Sequence, residues 1–167
     1  MLIIAHSMNK IHFPQLMEVY EEGNLENGRE FWPEEPPARQ LQLAEDSFRD
    51  YLTNDFFKIS GAAYFLWQVD GKYVSALRME PYKDAWLLEA LETHPRYRRR
   101  GYAEMLLRSV LALPEYKKIY SHVHKKNVPS LRIHEKVGFV RISEQATYID
   151  GSVNSRCCTW VYPGEKR

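Results

Sequence analysis

Little in this chain of 167 residues could staple it, anchor it or repeat. Its two cysteines, Cys157 and Cys158, are adjacent, so in a strand they point to opposite faces and cannot close a loop between them. The start, Met1-Leu2-Ile3-Ile4-Ala5-His6, is too short and lacks the basic residues of a secretory signal. Together these give the reducing cytoplasm as the expected compartment. No apolar run approaches the roughly 20 residues that cross a bilayer, which excludes a membrane-spanning helix. Internal repeats, low-complexity tracts and linkers are missing, so one domain over 1–167 is expected, with enough residues to bury a core. What is present is ordinary: 44% hydrophobic and 27% charged residues, as in a soluble globular protein.

The net charge of +1 hides a division. Residues 18–55 hold eleven acids against three arginines, whereas 96–126 hold nine lysines and arginines against two glutamates. One part of the chain is suited to anions, the other to cations. No helix-turn-helix, zinc-finger or RNA-recognition pattern surrounds the basic residues, so nucleic acid is not the expected partner.

Periodicity sets the elements in order. A strand at Leu2–Ala5 precedes a helix from about Phe13 to Glu22, closed by Gly23-Asn24. A Pro-rich loop over Asn27–Pro37 carries Phe31 and Trp32. A helix from about Ala38 to Thr53 follows, with Leu41, Ala44, Phe48 and Leu52 on one face. Strands at Tyr64–Val69 and Tyr73–Met79 flank a tight turn at Asp70-Gly71. After a turn at Pro81–Asp84 comes an apolar strand, Trp86–Leu91. A helix begins near Tyr102 and stops at Pro114. The strand Lys118–His124 puts Ile119, Ser121 and Val123 on one face and Tyr120, His122 and His124 on the other. Asn127–Val137 is helical, with Pro129 in its first turn and Gly138 at its end. Strands at Val140–Ile149 and Arg156–Tyr162 flank Asp150-Gly151-Ser152. The result is a mixed α/β (α+β) sheet.

The chain is organised around Arg96-Tyr97-Arg98-Arg99-Arg100-Gly101-Tyr102-Ala103, a strand-to-helix turn. The first N–H groups of a helix lack internal partners, and the macrodipole adds positive charge there. Gly101 lets the chain turn and lets an anion approach the backbone. Ringed by arginines, this is a phosphate or pyrophosphate seat.

Arg98-x-x-Gly101-x-Ala103 resembles the R/Q-x-x-G-x-G/A signature of the GNAT superfamily of N-acetyltransferases. Thr93-His94-Pro95 resembles that family's V-x-P strand end. The run from Asn127 to Phe139 resembles its N-x-x-A-x-x-L-Y-E-K-x-G-F block, and the resemblance covers roughly residues 60–162. It implies a mostly antiparallel central sheet with helices on both faces. Residues 61–162 would form the acetyl-CoA core, and 1–60 the variable elements that shape the acceptor site. The backbone of Leu91, Glu92 and Thr93 would pair with the pantetheine arm, much as an added strand would. Arg99, Arg100, Gly101, Tyr102, Ala103 and Glu104 would hold the pyrophosphate, with Arg98 beside them. Asn127 and Ser130 would reach the arm from the next helix.

The implied reaction moves acetyl from acetyl-CoA to a primary amine, expected to be that of a small molecule, with a cationic amine favoured by the acidic surplus. A protein N-terminus or lysine, or acyl-CoA binding without catalysis, are the alternatives. His134 stands where the family usually has the tyrosine that protonates the leaving thiolate. Histidine can also donate, with a pKa far closer to 7. An acceptor amine must be neutral to attack, so a base is needed, and His122, Glu92 and Glu89 are the candidates. Cys157 has no sequence partner to activate it, leaving direct transfer rather than an acyl-enzyme. His122 and His124 share a face, but no third ligand has convincing spacing, so no metal is expected. A monomer or homodimer is expected, without membrane.

Overall fold

Alternation of side chains along the strands sorts the sheet into two apolar faces, and the helices follow that division. The computed structural model describes residues 1–164. The chain runs β1 (Leu2–Ala5), α1 (Phe13–Val19), α2 (Glu21–Phe31), α3 (Pro37–Asn54), β2 (Ala63–Val69), β3 (Lys72–Tyr82) and β4 (Ala85–Thr93). It continues through α4 (Tyr102–Leu111), β5 (Ile119–His124), α5 (Val128–Val137), β6 (Val140–Ser143), β7 (Ala146–Thr147), β8 (Val153–Asn154) and β9 (Cys157–Tyr162). Seven strands form one sheet in the order β1-β2-β3-β4-β5-β9-β6, antiparallel except for β4 with β5. That parallel step requires a crossover, and α4 supplies it.

On one face, Phe65, Leu77, Met79, Leu88 and Ile119 bury against Leu106, Leu107 and Val110 of α4 and Val137 of α5. On the other, Tyr64, Leu66 and Ala76 bury against Phe13 and Leu16 of α1 and Leu52 of α3. Helices therefore cover both faces of a mixed, mostly antiparallel sheet. Cys157 and Cys158 are both buried as free thiols. Among the described residues, no helix is long and apolar enough to cross a membrane.

Two stretches depart from the sequence reading. The first helix does not close at Gly23-Asn24. It breaks earlier, at Tyr20 (φ −97°, ψ 14°), and α2 carries the chain through both residues and into the expected loop as far as Phe31. Tertiary contact overrides local propensity here. Asn24 is buried and donates to Met17 Sδ (3.4 Å). Gly28 lets α2 meet α3, since a Cβ there would lie 2.8 Å from the Gln40 carbonyl oxygen.

The second departure is the strand expected over 140–149, which divides. β6 ends at Ser143, where its register against β9 shifts and Gln145 N–H donates to Ser143 Oγ (3.2 Å). Beyond it β7 leaves the main sheet and pairs with β8 as a separate ribbon around the Asp150–Ser152 turn.

Candidate active site

Pairing between β4 and β5 ends at Leu88 with Ser121, and the two strands then part. β4 continues beside β3 alone, so its edge from Glu89 to Thr93 has no strand partner on the β5 side. A bulge shapes that edge: Arg78 pairs with Glu89 and Ala76 with Glu92, so Ala90 and Leu91 together oppose Leu77. Ala90 has φ +54°, and its carbonyl accepts from Tyr20 Oη (2.6 Å), which pins the bulge to the end of α1. The opening between the strands is a cleft lined by 88–91 of β4, 121–124 of β5, and Asn127, Ser130 and His134. Leu91, Asn127, Ser130, His122, His134 and Glu89 are thus brought together, and Glu92 and Thr93 extend the same strand edge.

The edge leads through a short turn, Pro95–Tyr97, to the arginines. Arg99 (φ +62°) and Gly101 (φ +79°) are both left-handed, and Gly101 is the N-cap of α4, with no side chain capping the helix. The N–H groups that open the helix at Tyr102, Ala103 and Glu104 therefore face outward without a side-chain acceptor. Space beside Gly101 is open, for a Cβ built there meets nothing within 4 Å. Arg98 is turned away from this end. Its Nη2 donates to Glu22 (2.7 Å) and Glu92 (3.4 Å), and its Nε to the Thr93 carbonyl (3.3 Å), tying α2 to β4. Arg100 stacks over the Tyr97 ring at 5.4 Å. Glu104 accepts from Lys136 (2.6 Å) and Arg108 (3.0 Å), which hold its carboxyl below the usual range and join α4 to α5.

By contrast, the start of α5 is capped: Asn127 Oδ1 accepts from Ser130 N–H (3.2 Å). From the same helix His134 reaches into the sheet and is 1% exposed. Its Nδ1 lies 2.7 Å from the Ser130 carbonyl, a contact that is favourable only if Nδ1 carries the proton. Its Nε2, 2.8 Å from Ser121 Oγ, is then an acceptor for that hydroxyl. Burial lowers the imidazole pKa, with the Ser130 hydrogen bond opposing, so the ring rests neutral.

His122 projects to the opposite face. Its Nε2 donates to the Thr147 carbonyl (3.1 Å), and its Nδ1 lies 2.9 Å from Thr159 Oγ1. The Thr159 hydroxyl has one proton for two acceptors, the bare Nδ1 and the Gln145 carbonyl (2.8 Å), so a proton added at Nδ1 would release it to Gln145 and leave Thr159 Oγ1 to accept. Burial first, and then Lys83, lower the His122 pKa against the Thr147 bond, so this ring also rests neutral. Of the other base candidates, Glu92 accepts from Thr93 N–H and Arg98, and Glu89 from Arg78 (3.4 Å).

Two features of the site escape sequence reasoning. Ser121 is 2% exposed and sits in the stripe of Ile119 and Val123. A polar residue in an apolar stripe is the signal that could have found it. The other is Glu80, 5% exposed on the α1–α3 face, whose pKa burial and then Glu89 raise to about 6, with Arg78 opposing. Arg78 stacks on the Tyr51 ring at 4.9 Å. The acidic surplus of 18–55 supplies no residue to the cleft lining. Glu18, Glu21 and Glu45 line a different hollow, together with Lys72, His94 and Arg96. Among the described residues no three His, Cys, Asp or Glu gather as a metal site would require.

The model of the acetyltransferase (GNAT) family matches residues 16–139. Among curated proteins none matches. Several solved structures share the fold. The ribosomal-protein-S18-alanine N-acetyltransferase of Escherichia coli is 16% identical, with all of this chain and 96% of that one covered, at a TM-score of 0.63. The PaiA N-acetyltransferase of Thermoplasma acidophilum, solved with coenzyme A, is 12% identical over 96% of this chain and 98% of that one (TM-score 0.62). A spermidine N-acetyltransferase chimera from Vibrio cholerae and hSSAT is 14% identical over 96% and 93% (TM-score 0.57).

Proposed function

Because the chain belongs to the acetyltransferase (GNAT) family, we propose that it moves the acetyl group of acetyl-CoA directly to a primary amine of a small molecule. The observation that carries this reading is the alignment of two features along one edge. The partnerless stretch of β4 from Glu89 to Thr93 offers backbone groups to an amide-bearing arm, and it leads to the uncapped start of α4 with Arg99 and Arg100 beside it. Pantetheine carries such amides, and the pyrophosphate of coenzyme A carries the charge that the helix start attracts.

In this reading most of the rate comes from holding both substrates in one cleft, worth up to about 7–11 kcal/mol. The amine arrives as an ammonium ion and must lose a proton before it attacks. His122 takes that proton, since it rests neutral, lines the cleft and has Thr159 ready to receive a hydrogen bond from its protonated Nδ1. Glu89 and Glu92 are less suited, being held by Arg78 and Arg98.

The test is release of free thiol from acetyl-CoA across polyamines, aminoglycosides, and peptides bearing a free N-terminus or a lysine. Turnover with small amines is the expected result. Turnover with peptides alone would assign the acceptor to protein. Coenzyme A binding with no turnover on any amine would leave a non-catalytic acyl-CoA binder.

A further inference from the structure

A neutral amine that has attacked a thioester still carries one proton too many, and the departing sulfur carries one too few. We infer that Ser121 and His134 form a two-residue relay that moves this proton from the substrate nitrogen to the leaving sulfur. The inference rests on the acetyltransferase reading above.

Two short contacts fix the direction of both hydrogen bonds in the relay. The Ser130 carbonyl can only accept, so at 2.7 Å it holds the imidazole proton on Nδ1. That leaves Nε2 with a bare lone pair, 2.8 Å from Ser121 Oγ, and the hydroxyl proton must point at it. The lone pairs of Ser121 Oγ are then free to accept from a group in the cleft that Ser121 and His134 both line. Ser121 also stands at the last β4–β5 pair, at the base of the opening where the strands part. The pair is enclosed by Phe139 (ring centroids 4.9 Å from His134) and Trp160 (6.3 Å), so bulk water does not compete for it.

The steps balance. The amine nitrogen forms a bond to the thioester carbon, and the carbonyl electron pair moves to oxygen. A proton on that nitrogen passes to Ser121 Oγ as the hydroxyl proton passes to His134 Nε2. The electron pair on oxygen then re-forms the carbonyl as the C–S bond breaks with its own pair on sulfur. His134 returns its proton to Ser121 as Ser121 gives one to the sulfur. An amide and a free thiol leave, and both residues are restored. His134 therefore acts first as an acceptor, and it can donate only what it has received.

Two measurements test this. The first needs no substrate: the imidazole nitrogen spectrum of the free protein at neutral pH should show His134 protonated at Nδ1 and bare at Nε2. A proton on Nε2 overturns the relay. The second compares Ser121→Ala, Ser121→Thr, His134→Gln and the double variant Ser121→Ala/His134→Gln, using the amine that turns over best with wild type. Ser121→Ala and His134→Gln should each lower kcat by about 10²-fold or more. The double variant should fall no further than the worse single one, because one path is cut once. Ser121→Thr, which keeps the hydroxyl, should recover most of the rate. Coenzyme A affinity, measured by calorimetry, should stay within about threefold in all four. Multiplying losses in the double variant, or near-normal kcat in a folded Ser121→Ala protein, would remove the relay and leave the acetyltransferase reading standing. No thiol release by wild type on any amine would remove both.

Discussion

The two faces of the sheet meet the cleft with different chemistry. On the α4–α5 side the core behind the cleft is apolar, and one hydrogen-bonded line, Ser121 to His134 to the Ser130 carbonyl, crosses it. On the α1–α3 side the wall is aromatic and charged. Arg78 pairs with Glu89, Glu80 lies buried near both, and Tyr82, His122 and Tyr148 stand edge to face. The first wall holds one proton on a defined path. The second can hold a charged group whose identity the chain leaves open. Reactions that join two substrates favour such a division, because the common donor needs a fixed seat while the acceptor side varies.

The largest effect should come from breaking the first wall. His134→Ala should lower turnover about 10²–10⁴-fold while coenzyme A binding stays close to normal. His134→Tyr should fall about as far, since a phenol is too weak a base to take the Ser121 proton. Steady-state rates with calorimetric coenzyme A affinities check both. An alanine variant as fast as wild type would make the two walls equally inert.

A smaller loss is expected at the seat. Gly101 has φ +79°, which a β-branched residue adopts at a cost of about 1–3 kcal/mol. Gly101→Val should therefore weaken coenzyme A binding roughly 10–100-fold, with the thermal midpoint showing that the fold survives. Arg99→Ala should cost less, because the backbone N–H groups of α4 remain.

Both predictions concern residues that stand out in the sequence alone. α4 and α5 are legible there because their apolar stripes, glycines and prolines agree with one another, and because the seat is a local device set by consecutive residues. His134 is legible as a position, but its direction is not. Nothing in the sequence shows that the Ser130 carbonyl fixes its proton or that Ser121 lies opposite, since those contacts join a helix to a strand. α2 is hidden for the same reason in reverse. Gly23-Asn24 has the chemistry of a stop, and only the packing of Asn24 under Met17 and of Gly28 on α3 keeps the helix going. Glu80 reads like any solvated acid, and its burial depends on the elements that cover β3.

Glu80 gives the next smaller effect. Its folded pKa of about 6 lies above that of an unfolded glutamate, so between roughly pH 4.5 and 6 the folded state binds more protons than the unfolded one. Stability contributed by this group is present below that window and is lost as pH rises through it. Glu80→Gln removes the loss, so the variant should gain on wild type by about 1–2 kcal/mol from pH 4.5 to 7. Paired melting curves across that range measure the difference, and a constant offset would show Glu80 to be solvated after all.

The smallest effect should come from the acids that dominate the composition. Glu34 and Glu35 are exposed in the short loop between α2 and α3, and neither lines the cleft. If the acidic surplus steers a cationic acceptor, it does so through solvent, where screening acts within about 8 Å at physiological salt. Replacing both by glutamine should raise KM for spermidine by less than about threefold at low salt and leave it unchanged near 0.15 M. Glu89→Gln, inside the cleft, should alter KM at both salt levels, because a partly buried charge is screened far less. A salt-insensitive rise in KM for the loop variant would place those carboxylates against the substrate. The acceptor wall would then extend from the sheet to the α2–α3 loop.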